Sequence, residues 1–375
     1  MKTKIHTKSY DFTNFKHPGG NKALELIENK DGTCLFELYH PFSKRNYLNT
    51  VLRKYESVDD NSIETQKEFD FDLTNDSFTN EIRDAVTCYF KSLANKNNCS
   101  LIEATKMNTF KIMENCVILG LLYCSLNHFF FFAIFHFLFI VNNWHDAGHF
   151  ALIQNKFWEE IFMSICASLY PPYSWYNGHT HNHHSYTNIL FKDQDIHDKV
   201  YLQKERITPP LKFLIKLIYS NNTNDIFDLP KNVNVQTLLH ICTKSLLLWH
   251  FSYKMLFIFI IQIIIFGFVT QINHIHVSNF TRNRHFFKHQ IETSSNVKSQ
   301  SYLMRLFSGG LNMQIEHHLF PSVNSCHLSK LAEIIKPICL KYGVRYNEYD
   351  SFYECVKSTL NDVSKIDTLK KFTTK

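Results

Sequence analysis

Four histidines lie close together in this 375-residue chain: His179, His181, His183 and His184. Neutral imidazole is the commonest protein ligand for iron, copper or zinc. On a helix, His179 and His183 stand one turn apart on the same face, so we expect both to bind the same ion. His184 is rotated by about 100° from His183 and is expected to reach a second ion.

Two further clusters have the same character. The string HDAGH places His145 and His149 four positions apart, and QIEHH places Gln314 ahead of His317 and His318. Each cluster adjoins a long apolar stretch. Together the clusters offer more nitrogen ligands than one ion can accept, so the sequence predicts two metal ions in one site.

The choice of ligands favours redox chemistry. Soluble di-iron bundles rely on paired glutamates, and HExxH zinc hydrolases need three ligands and a general-base glutamate. A pair of irons that activates dioxygen accounts for all of these histidines. Asp146 and Glu316 adjoin them and are expected to orient the imidazole N–H groups. The neighbouring apolar stretches indicate a lipid chain as substrate.

Two apolar blocks position the clusters, at residues 116–141 and 237–269. Each is longer than one membrane crossing of about 20 residues and shorter than two. Clusters that share a site lie on one side of the membrane, so an even number of crossings separates them. We therefore predict two short helical hairpins, broken near residues 127–128 and 252–254. The polar intervals on the histidine side hold most of the Lys and Arg, which indicates a cytosolic face.

The flanking segments are simpler. Residues 57–80 are acidic and polar and are predicted to be a linker, and residues 81–94 show the apolar periodicity of a helix. Residues 157–170 are apolar but too short to span a membrane, so we expect them to be interfacial or buried. Residues 326–363 are expected to form soluble helices over the site.

Composition sets the broad class. The chain has 34 Phe and 18 Tyr, and its formal charge of +6 is mild and shows no dense basic run. A solvated basic surface explains that charge better than binding to an anionic membrane, and no nucleic-acid partner is predicted. The 10 Cys form no CxxC pair, which favours free thiols in a reducing compartment. No apolar signal-peptide segment follows the first residues.

The N-terminal stretch suggests a second cofactor. His17 precedes Pro-Gly-Gly, and His40 follows at another boundary between a helix and a loop. Two opposed histidines are what a six-coordinate haem needs; the alternative is a pair of surface-loop histidines. YDFTNFKHPGG with FELYHPFS resembles the haem-binding part of cytochrome b5. That family has further elements ahead of this segment, where nine residues precede Tyr10.

The three histidine clusters resemble the three histidine boxes of membrane fatty acyl desaturases, over roughly residues 142–346. HDAGH is similar to the first box, HTHNHH to the second and QIEHHLFP to the third. Gln314 in the third box, together with a b5-like segment, is typical of front-end desaturases. In that family a further histidine follows the last membrane helix; His274 matches it, with His276 as the rival, and His181 matches no ligand.

The resemblance implies a fold. It is a mainly α polytopic membrane protein with about four transmembrane helices in two hairpins and a cytosolic helical cap carrying a di-iron site. A small α+β cytochrome b5-like haem domain precedes it. The implied boundaries are residues 1–56 for the b5-like segment, 57–100 for a linker and amphipathic helix, and 101–375 for the desaturase domain.

The resemblance also implies an activity. Electrons pass from NADH through cytochrome b5 reductase to haem b, or to a separate cytochrome b5, and then to two Fe ions that use O2. The product is a new cis double bond in a polyunsaturated acyl chain of a phospholipid or acyl-CoA, on the carboxyl side of an existing one. The implied location is the endoplasmic reticulum membrane, with both termini cytosolic. A sphingolipid desaturase or lipid hydroxylase, and a non-catalytic membrane haem carrier, are the alternatives.

Overall fold

The computed structural model describes residues 1–58, 71–166, 171–189, 192–193, 235–279 and 283–373. Helices dominate the described part of the chain. The first nine helices are α1 Lys22–Glu25, α2 Thr33–Tyr39, α3 Arg45–Arg53, α4 Ser77–Asn97, α5 Leu101–Ala104, α6 Thr109–Cys124, α7 Phe129–Gly148, α8 Lys156–Cys166 and α9 Pro172–Trp175. A π-helix, Tyr176–His183, follows α9 directly. The later helices are α10 Val235–Phe251, α11 Lys254–Gln271, α12 Phe286–Glu292, α13 Tyr302–Ser308, α14 Gln314–Leu319, α15 Leu328–Lys341 and α16 Phe352–Thr373, with short 3-10 turns at Val277–Asn279 and Ser325–His327.

The N-terminal segment has a small core of its own. Strands β1 (Lys2–Ile5) and β2 (Lys8–Asp11) pair antiparallel, and helices α1 to α3 follow them. Buried apolar side chains from the strands and from all three helices pack together: Ile5, Tyr10, Phe12, Leu24, Phe36, Leu48 and Leu52. Between His17 and His40, the first regular helix is short and covers only Lys22–Glu25.

The two apolar blocks fold as predicted into helix pairs. Helix α6 ends at Cys124 and α7 begins at Phe129, while α10 ends at Phe251 and α11 begins at Lys254. The predicted breaks near residues 127–128 and 252–254 are therefore confirmed. Ser252 has a positive φ of 51°, which reverses the chain between α10 and α11.

One described helix is long and apolar enough to cross a membrane: Lys254–Gln271, with a mean hydropathy of 2.0. Of the roughly four crossings expected from the sequence, this criterion supports one. The partner helices Thr109–Cys124 and Val235–Phe251 have 16 and 17 residues, at or just below the lower end of the length that spans a bilayer. Helix α7 is long enough, but its last turns are polar.

A helical layer covers the polar ends of these pairs. Helix α4 packs against α15, and their apolar side chains share one core with α12 and α14. The helix predicted over residues 81–94 extends over Ser77–Asn97, because the Asp76 side chain accepts a hydrogen bond from the Thr79 N–H and caps it. Strands β3 (Ser295–Val297) and β4 (Asn347–Tyr349) pair in parallel beside it.

The structure also bears on three further features predicted from the sequence: the apolar segment 157–170, the free cysteines and the linker over residues 57–80. Of the apolar segment 157–170, residues up to Cys166 form helix α8, in which Phe157 and Trp158 are exposed and Met163 is buried; its last four residues lie outside the described part. The side chains of nine cysteines are described, and all nine are free thiols, as predicted. Half of the predicted linker over residues 57–80, namely residues 59–70, lies outside the described residues.

Candidate metal centre

Four segments bring the predicted histidines into one buried space. His145 lies in the last turn of α7 and His149 follows its end; the π-helix carries His179 and His183, and His184 caps it. His274 follows α11 by three positions, and α14 carries His317 and His318. All of these imidazoles are at most 5% exposed. The structure thus assembles side chains that are up to 173 positions apart in the sequence.

The histidines form two groups, each compact enough to hold an ion. Four belong to the first group, which comprises His145, His149, His179 and His317. Three belong to the second group, which comprises His183, His274 and His318. Within each group the ligand nitrogens lie within 4.8 Å of one another. Because metal–nitrogen bonds are about 2 Å long, two nitrogens on one ion lie at most about 4 Å apart. Each group therefore needs only a small contraction to hold an ion.

The expectation that His179 and His183 bind the same ion does not match this arrangement. They fall in different groups, although their rings stack with centroids 5.0 Å apart. The two rings share one face of the π-helix Tyr176–His183, but different histidines surround each ring. His179 lies beside His145 and His149 from the first box, whereas His183 lies beside His274 and His318.

His184 lies between the two groups. Its ring centroid is 4.4 Å from that of His149 in the first group and 4.4 Å from that of His318 in the second. Neither of its ring nitrogens has a hydrogen-bond partner among the described residues. His184 is therefore close enough to bind the ion of either group. The sequence predicted only that it reaches a different ion from His183.

A hydrogen-bond network fixes which nitrogen of His318 faces the group. The Gln290 amide donates through Nε2 to the His184 carbonyl at 2.9 Å, so its Oε1 must be the atom that faces His318. That Oε1 lies 3.0 Å from His318 Nδ1. The proton of His318 is therefore on Nδ1, and the Nε2 lone pair is free to bind a metal.

Other histidines follow the same rule. Asp193 accepts from His183 Nδ1 at 2.9 Å, and the Thr293 carbonyl accepts from His274 Nδ1 at 3.3 Å. Each acceptor leaves the opposite nitrogen available as a ligand. Such outer partners hold metal-binding imidazoles in orientation and fix their tautomer.

Several of the ring nitrogens that a metal would need have no partner in the protein. Among the described residues, Nε2 has no hydrogen-bond partner in six of these buried histidines, namely His145, His149, His184, His274, His317 and His318. Buried polar atoms are otherwise nearly always paired. Several unpaired acceptors converging on two points fit two metal ions.

The protonation state is also the one that a metal requires. Burial, followed by the neighbouring imidazoles, holds the pKa of His149, His184, His317 and His318 well below its usual value. Burial and then the neighbouring His183 lower the pKa of His274 to about 3. These imidazoles are neutral at physiological pH, and the neutral form is the ligand.

With this geometry in place, comparison with known proteins decides the family. The profile of the family described as "Fatty acid desaturase" matches residues 123–350, more than half of the chain and all of the described metal site. The chain belongs to the fatty acid desaturase family. It is therefore an oxidoreductase, and its histidine groups are compatible with a di-iron centre.

Individual relatives match over nearly the whole chain. The chain is 27% identical to the Probable Delta(5) fatty acid desaturase C of Dictyostelium discoideum, over 94% of this chain and 88% of that one. It is 24% identical to the Acyl-lipid (8-3)-desaturase of Mortierella alpina, over 95% of this chain and 91% of that one. Human Fatty acid desaturase 3 is 27% identical over 54% of this chain and 53% of its own length. No solved structure matches the chain significantly.

Two carboxylates in the desaturase boxes have roles other than the predicted ones. Asp146 Oδ1 lies 3.9 Å from His145 Nδ1, too far for a hydrogen bond. Its Oδ2 accepts instead from Asn324 and from the Ser325 hydroxyl, both at 2.8 Å. The Asp146 carboxylate therefore ties the first box to the loop after the third.

Glu316 likewise does not orient an imidazole. Its carboxylate accepts from Asn296 Nδ2 and from the Tyr346 hydroxyl, both at 2.7 Å. Burial raises the pKa of Glu316 to about 7, against the effect of those hydrogen bonds. The Glu316 side chain therefore bonds to the helical layer that covers the site, whereas the neighbouring His317 and His318 belong to the metal-binding groups.

Close packing holds the first two boxes together. A Cβ added to Gly148 would lie 2.5 Å from Trp175 Nε1, so only glycine allows this approach. The Trp175 ring stacks on His179 with centroids 4.0 Å apart. The Thr180 hydroxyl donates to the Gly148 carbonyl at 3.0 Å. Gly148 thus sets how near the second box comes to the first.

Three residues near the histidine groups, His276, His181 and Gln314, belong to neither group. His276 is outside both groups, because its Nε2 lies 2.5 Å from the Ile272 carbonyl and its Nδ1 lies 3.1 Å from the Tyr349 hydroxyl. His181 is also outside them and contacts Asn182 through Nδ1 at 2.8 Å. Gln314 is buried at the start of α14, and its Oε1 has no partner among the described residues.

The two predicted haem ligands are near each other. The ring centroids of His17 and His40 are 5.9 Å apart and their planes are nearly perpendicular, at 86°. His17 Nδ1 accepts from the Gly19 N–H at 3.0 Å, and His40 Nδ1 donates to the Phe36 carbonyl at 2.9 Å. The bond at His40 leaves the Nε2 lone pair available to an iron. At His17 the Nδ1 lone pair is the acceptor, so the proton lies on Nε2 and must leave it before that nitrogen can bind an iron.

Sequence reasoning missed two residues that hold this centre. Gln290 orients His318, and the Tyr39 hydroxyl lies 2.9 Å from His149 Nδ1. Gln290 stands in no motif, Tyr39 lies in the FELYHPFS string only as the neighbour of His40, and neither is beside its histidine in the sequence. Asp193 and Asp195 follow the second box, where the sequence does not decide between orienting a histidine and facing solvent. Asp193 is 2% exposed and bonded to His183. Asp195 lies outside the described residues.

Proposed function

We propose that this chain is a front-end acyl desaturase, which inserts a cis double bond between an existing double bond and the carboxyl end of a long polyunsaturated acyl chain. The observation that carries the proposal is the pair of compact, buried histidine groups, in each of which the ligand nitrogens lie within 4.8 Å of one another. Gln314 at the head of the third box supports the front-end class. So do relatives named as Delta(5) and (8-3) desaturases that match along nearly the whole chain.

The reaction balances with dioxygen as oxidant. One O2 is reduced to two waters by four electrons; two come from the C–H bonds of adjacent methylenes, and two come from a donor. Iron bound by the two groups would supply this oxidation. The chain's own residues hold the ligand nitrogens neutral and correctly turned, and the burial of every ligand excludes water.

The substrate would enter from the bilayer. Helices α6, α7, α10 and α11 expose large apolar side chains, including Val117 at 62%, Phe131 at 55%, Leu246 at 65% and Leu256 at 63%. Monomeric soluble proteins rarely expose contiguous apolar patches of this extent. We propose that these helices form two membrane hairpins, about four crossings in all. The site and both termini would then face the cytosol at the endoplasmic reticulum.

Electrons would reach the site through the N-terminal segment. His17 and His40 are near enough to face one haem b from its two sides. NADH would supply the electrons through cytochrome b5 reductase, with a separate cytochrome b5 as donor if the segment holds no haem. A phospholipid or acyl-CoA would carry the acyl chain.

Expression in yeast fed linoleic, alpha-linolenic and dihomo-gamma-linolenic acids tests the proposal. We expect a fatty acid with one more double bond on the carboxyl side of the existing ones, and its position gives the regiochemistry. The variant His317→Ala should make none, because the first group loses a ligand. His276→Ala, at a buried histidine outside both groups, should retain the product.

The other outcomes point to the alternatives. A new hydroxyl group, or an altered sphingolipid base with no change in fatty acids, would indicate a lipid hydroxylase or a sphingolipid desaturase. Electron transfer that survives His317→Ala, with no lipid product from the wild type, would indicate a haem carrier. Any of these results would overturn the front-end proposal.

A further inference from the structure

A residue of the N-terminal segment reaches the metal centre. Tyr39 is the last residue of helix α2, and its hydroxyl lies 2.9 Å from Nδ1 of His149, which is 110 positions later in the chain. The distance is that of a hydrogen bond. Tyr39 therefore contacts a member of the first histidine group directly, while its neighbour in sequence, His40, faces His17.

The contact is held by packing on both sides. Helix α2 lies between two cores: Leu35 packs with Trp144 and Trp175, while Leu38, which is fully buried, packs with α4 and α15. The Tyr39 ring meets the ring of Phe150 edge-on, with centroids 6.1 Å apart. The position of the Tyr39 hydroxyl is consequently determined by the packing of helix α2 against both cores.

The second box is braced from the same segment. Lys30 Nζ donates to Asn177 Oδ1 at 2.9 Å, and the Lys22 ammonium lies 5.8 Å from the Tyr176 ring centroid. Asn177 and Tyr176 begin the π-helix that carries His179. The N-terminal segment thus contacts two of the three elements that deliver ligands to the first group, namely the end of α7 and the π-helix.

We propose that Tyr39 is a positioning residue of the metal centre, so that the N-terminal segment is a structural part of the iron site as well as a route for electrons. The proposal rests on the proposed function, because it assumes that iron binds the histidine groups. Nδ1 of His149 carries the proton and donates it to the phenol oxygen. Nε2 then keeps its lone pair toward the other members of the first group. Without the phenol oxygen, the ring is free to turn or to adopt the other tautomer.

The variant Tyr39→Phe in the full chain tests this. It keeps the ring and its packing and removes only the hydroxyl. Loss of such an outer partner typically weakens metal binding by about 10–100-fold. We expect a weakening of that size for one iron per chain, measured by competition with a chelator. Tyr55→Phe is the matched control; it removes a hydroxyl from the same segment, and no hydrogen bond to that hydroxyl is present among the described residues, so iron binding should not change.

A second measurement separates positioning from general stability. The melting temperature of the metal-free protein should fall only slightly in Tyr39→Phe, because the buried Nδ1 of His149 loses one hydrogen bond, whereas the rise on adding iron should be smaller in the variant than in the wild type. Equal iron affinity in both proteins, or a lower melting temperature without metal and an unchanged rise, would overturn the proposal. A wild type that binds no iron would instead overturn the proposed function.

Discussion

His183 and Asp193 form a buried pair in which the imidazole Nδ1 lies 2.9 and 3.0 Å from the two carboxylate oxygens. The same carboxylate accepts from the Asn188 backbone N–H at 2.8 Å. Two donors therefore converge on Asp193, and the His183 N–H lies against both of its oxygens, so neither oxygen can be replaced by an N–H donor without facing His183. Asp193 fixes the orientation of a ligand in the second histidine group.

The change Asp193→Asn tests that role. Asparagine has one acceptor oxygen, so either His183 or the Asn188 N–H must face its NH2 group. We expect iron affinity to fall by about 10–100-fold, as for other outer partners of metal-binding histidines. A chelator titration measures it. Glu333→Gln, at an exposed carboxylate that pairs with Lys330, is the control and should leave the affinity unchanged; an equal effect in both would refute the role.

Gly148 is predicted to be irreplaceable for steric reasons. In Gly148→Ala, the new Cβ would meet the Trp175 indole at 2.5 Å, and Trp175 cannot retreat without moving His179. Overpacking of this kind costs about 1–3 kcal/mol. Thermal unfolding of the metal-free protein should show the loss, and product formation should fall with it.

Gly120 provides the comparison. It also lies inside a helix, but a Cβ there would meet nothing within 4 Å. Alanine is the better helix former by roughly 0.5–1 kcal/mol, so Gly120→Ala should be neutral or slightly stabilising. Equal destabilisation by both changes would show that the indole contact is unimportant.

The docking of the N-terminal segment should be sensitive to acid through Glu37. Burial opposes its charge, but hydrogen bonds from His6 and Arg45 and the charges of Arg45 and Arg83 outweigh it and lower the pKa to about 2. A depressed pKa contributes stability that is complete above the ordinary value of 4.5 and is lost as the pH falls toward about 2. We expect the free energy of unfolding to fall over that window.

Glu37→Gln should remove this pH dependence and destabilise the protein at neutral pH by about 3 kcal/mol, at the low end for a broken buried pair because Arg45 is partly exposed. Denaturant titrations at several pH values between 3 and 6 measure both effects. An identical acid profile in the variant would assign the sensitivity to another group.

Haem binding is predicted to need both N-terminal histidines. If His17 and His40 bind one iron from its two sides, His17→Ala and His40→Ala should each remove the six-coordinate absorption spectrum of the purified chain. His6→Ala, at a histidine of the same segment that pairs with Glu37, should leave it intact. A wild type without haem absorption would assign electron supply to a separate cytochrome b5.

The hairpins and the histidine boxes could be predicted because their signals are local. A long apolar run interrupted at residues 125–128 or 252–253 can fold only as two helices, and the structure breaks at those positions. His274 and His276 were also separable in principle, since one lies nearer the end of the preceding helix. The number of membrane crossings is harder to predict from local sequence, because it depends on whether each helix is surrounded by lipid or by protein.

The partition of the ligands and their outer partners could not be predicted. His179 and His183 do share one helix face, as their stacked rings show, but the ion that each can bind depends on the histidines that other segments bring beside it. Asp146 and Glu316 were chosen because they adjoin histidines in the sequence. The groups that do orient histidines come from elsewhere in the fold; Tyr39 is 110 positions from His149 and Gln290 is 28 positions from His318.

The most direct test of the central claim is the number of non-haem irons per chain, measured together with haem and protein concentration on the purified, iron-loaded protein. Two histidine groups predict two non-haem irons in the wild type. His317→Ala should lose the iron of the first group and His274→Ala that of the second, so each should hold one, whereas His276→Ala should hold two. A wild type with fewer than two irons, or variants that all retain two, would contradict the assignment of these groups as a di-iron centre.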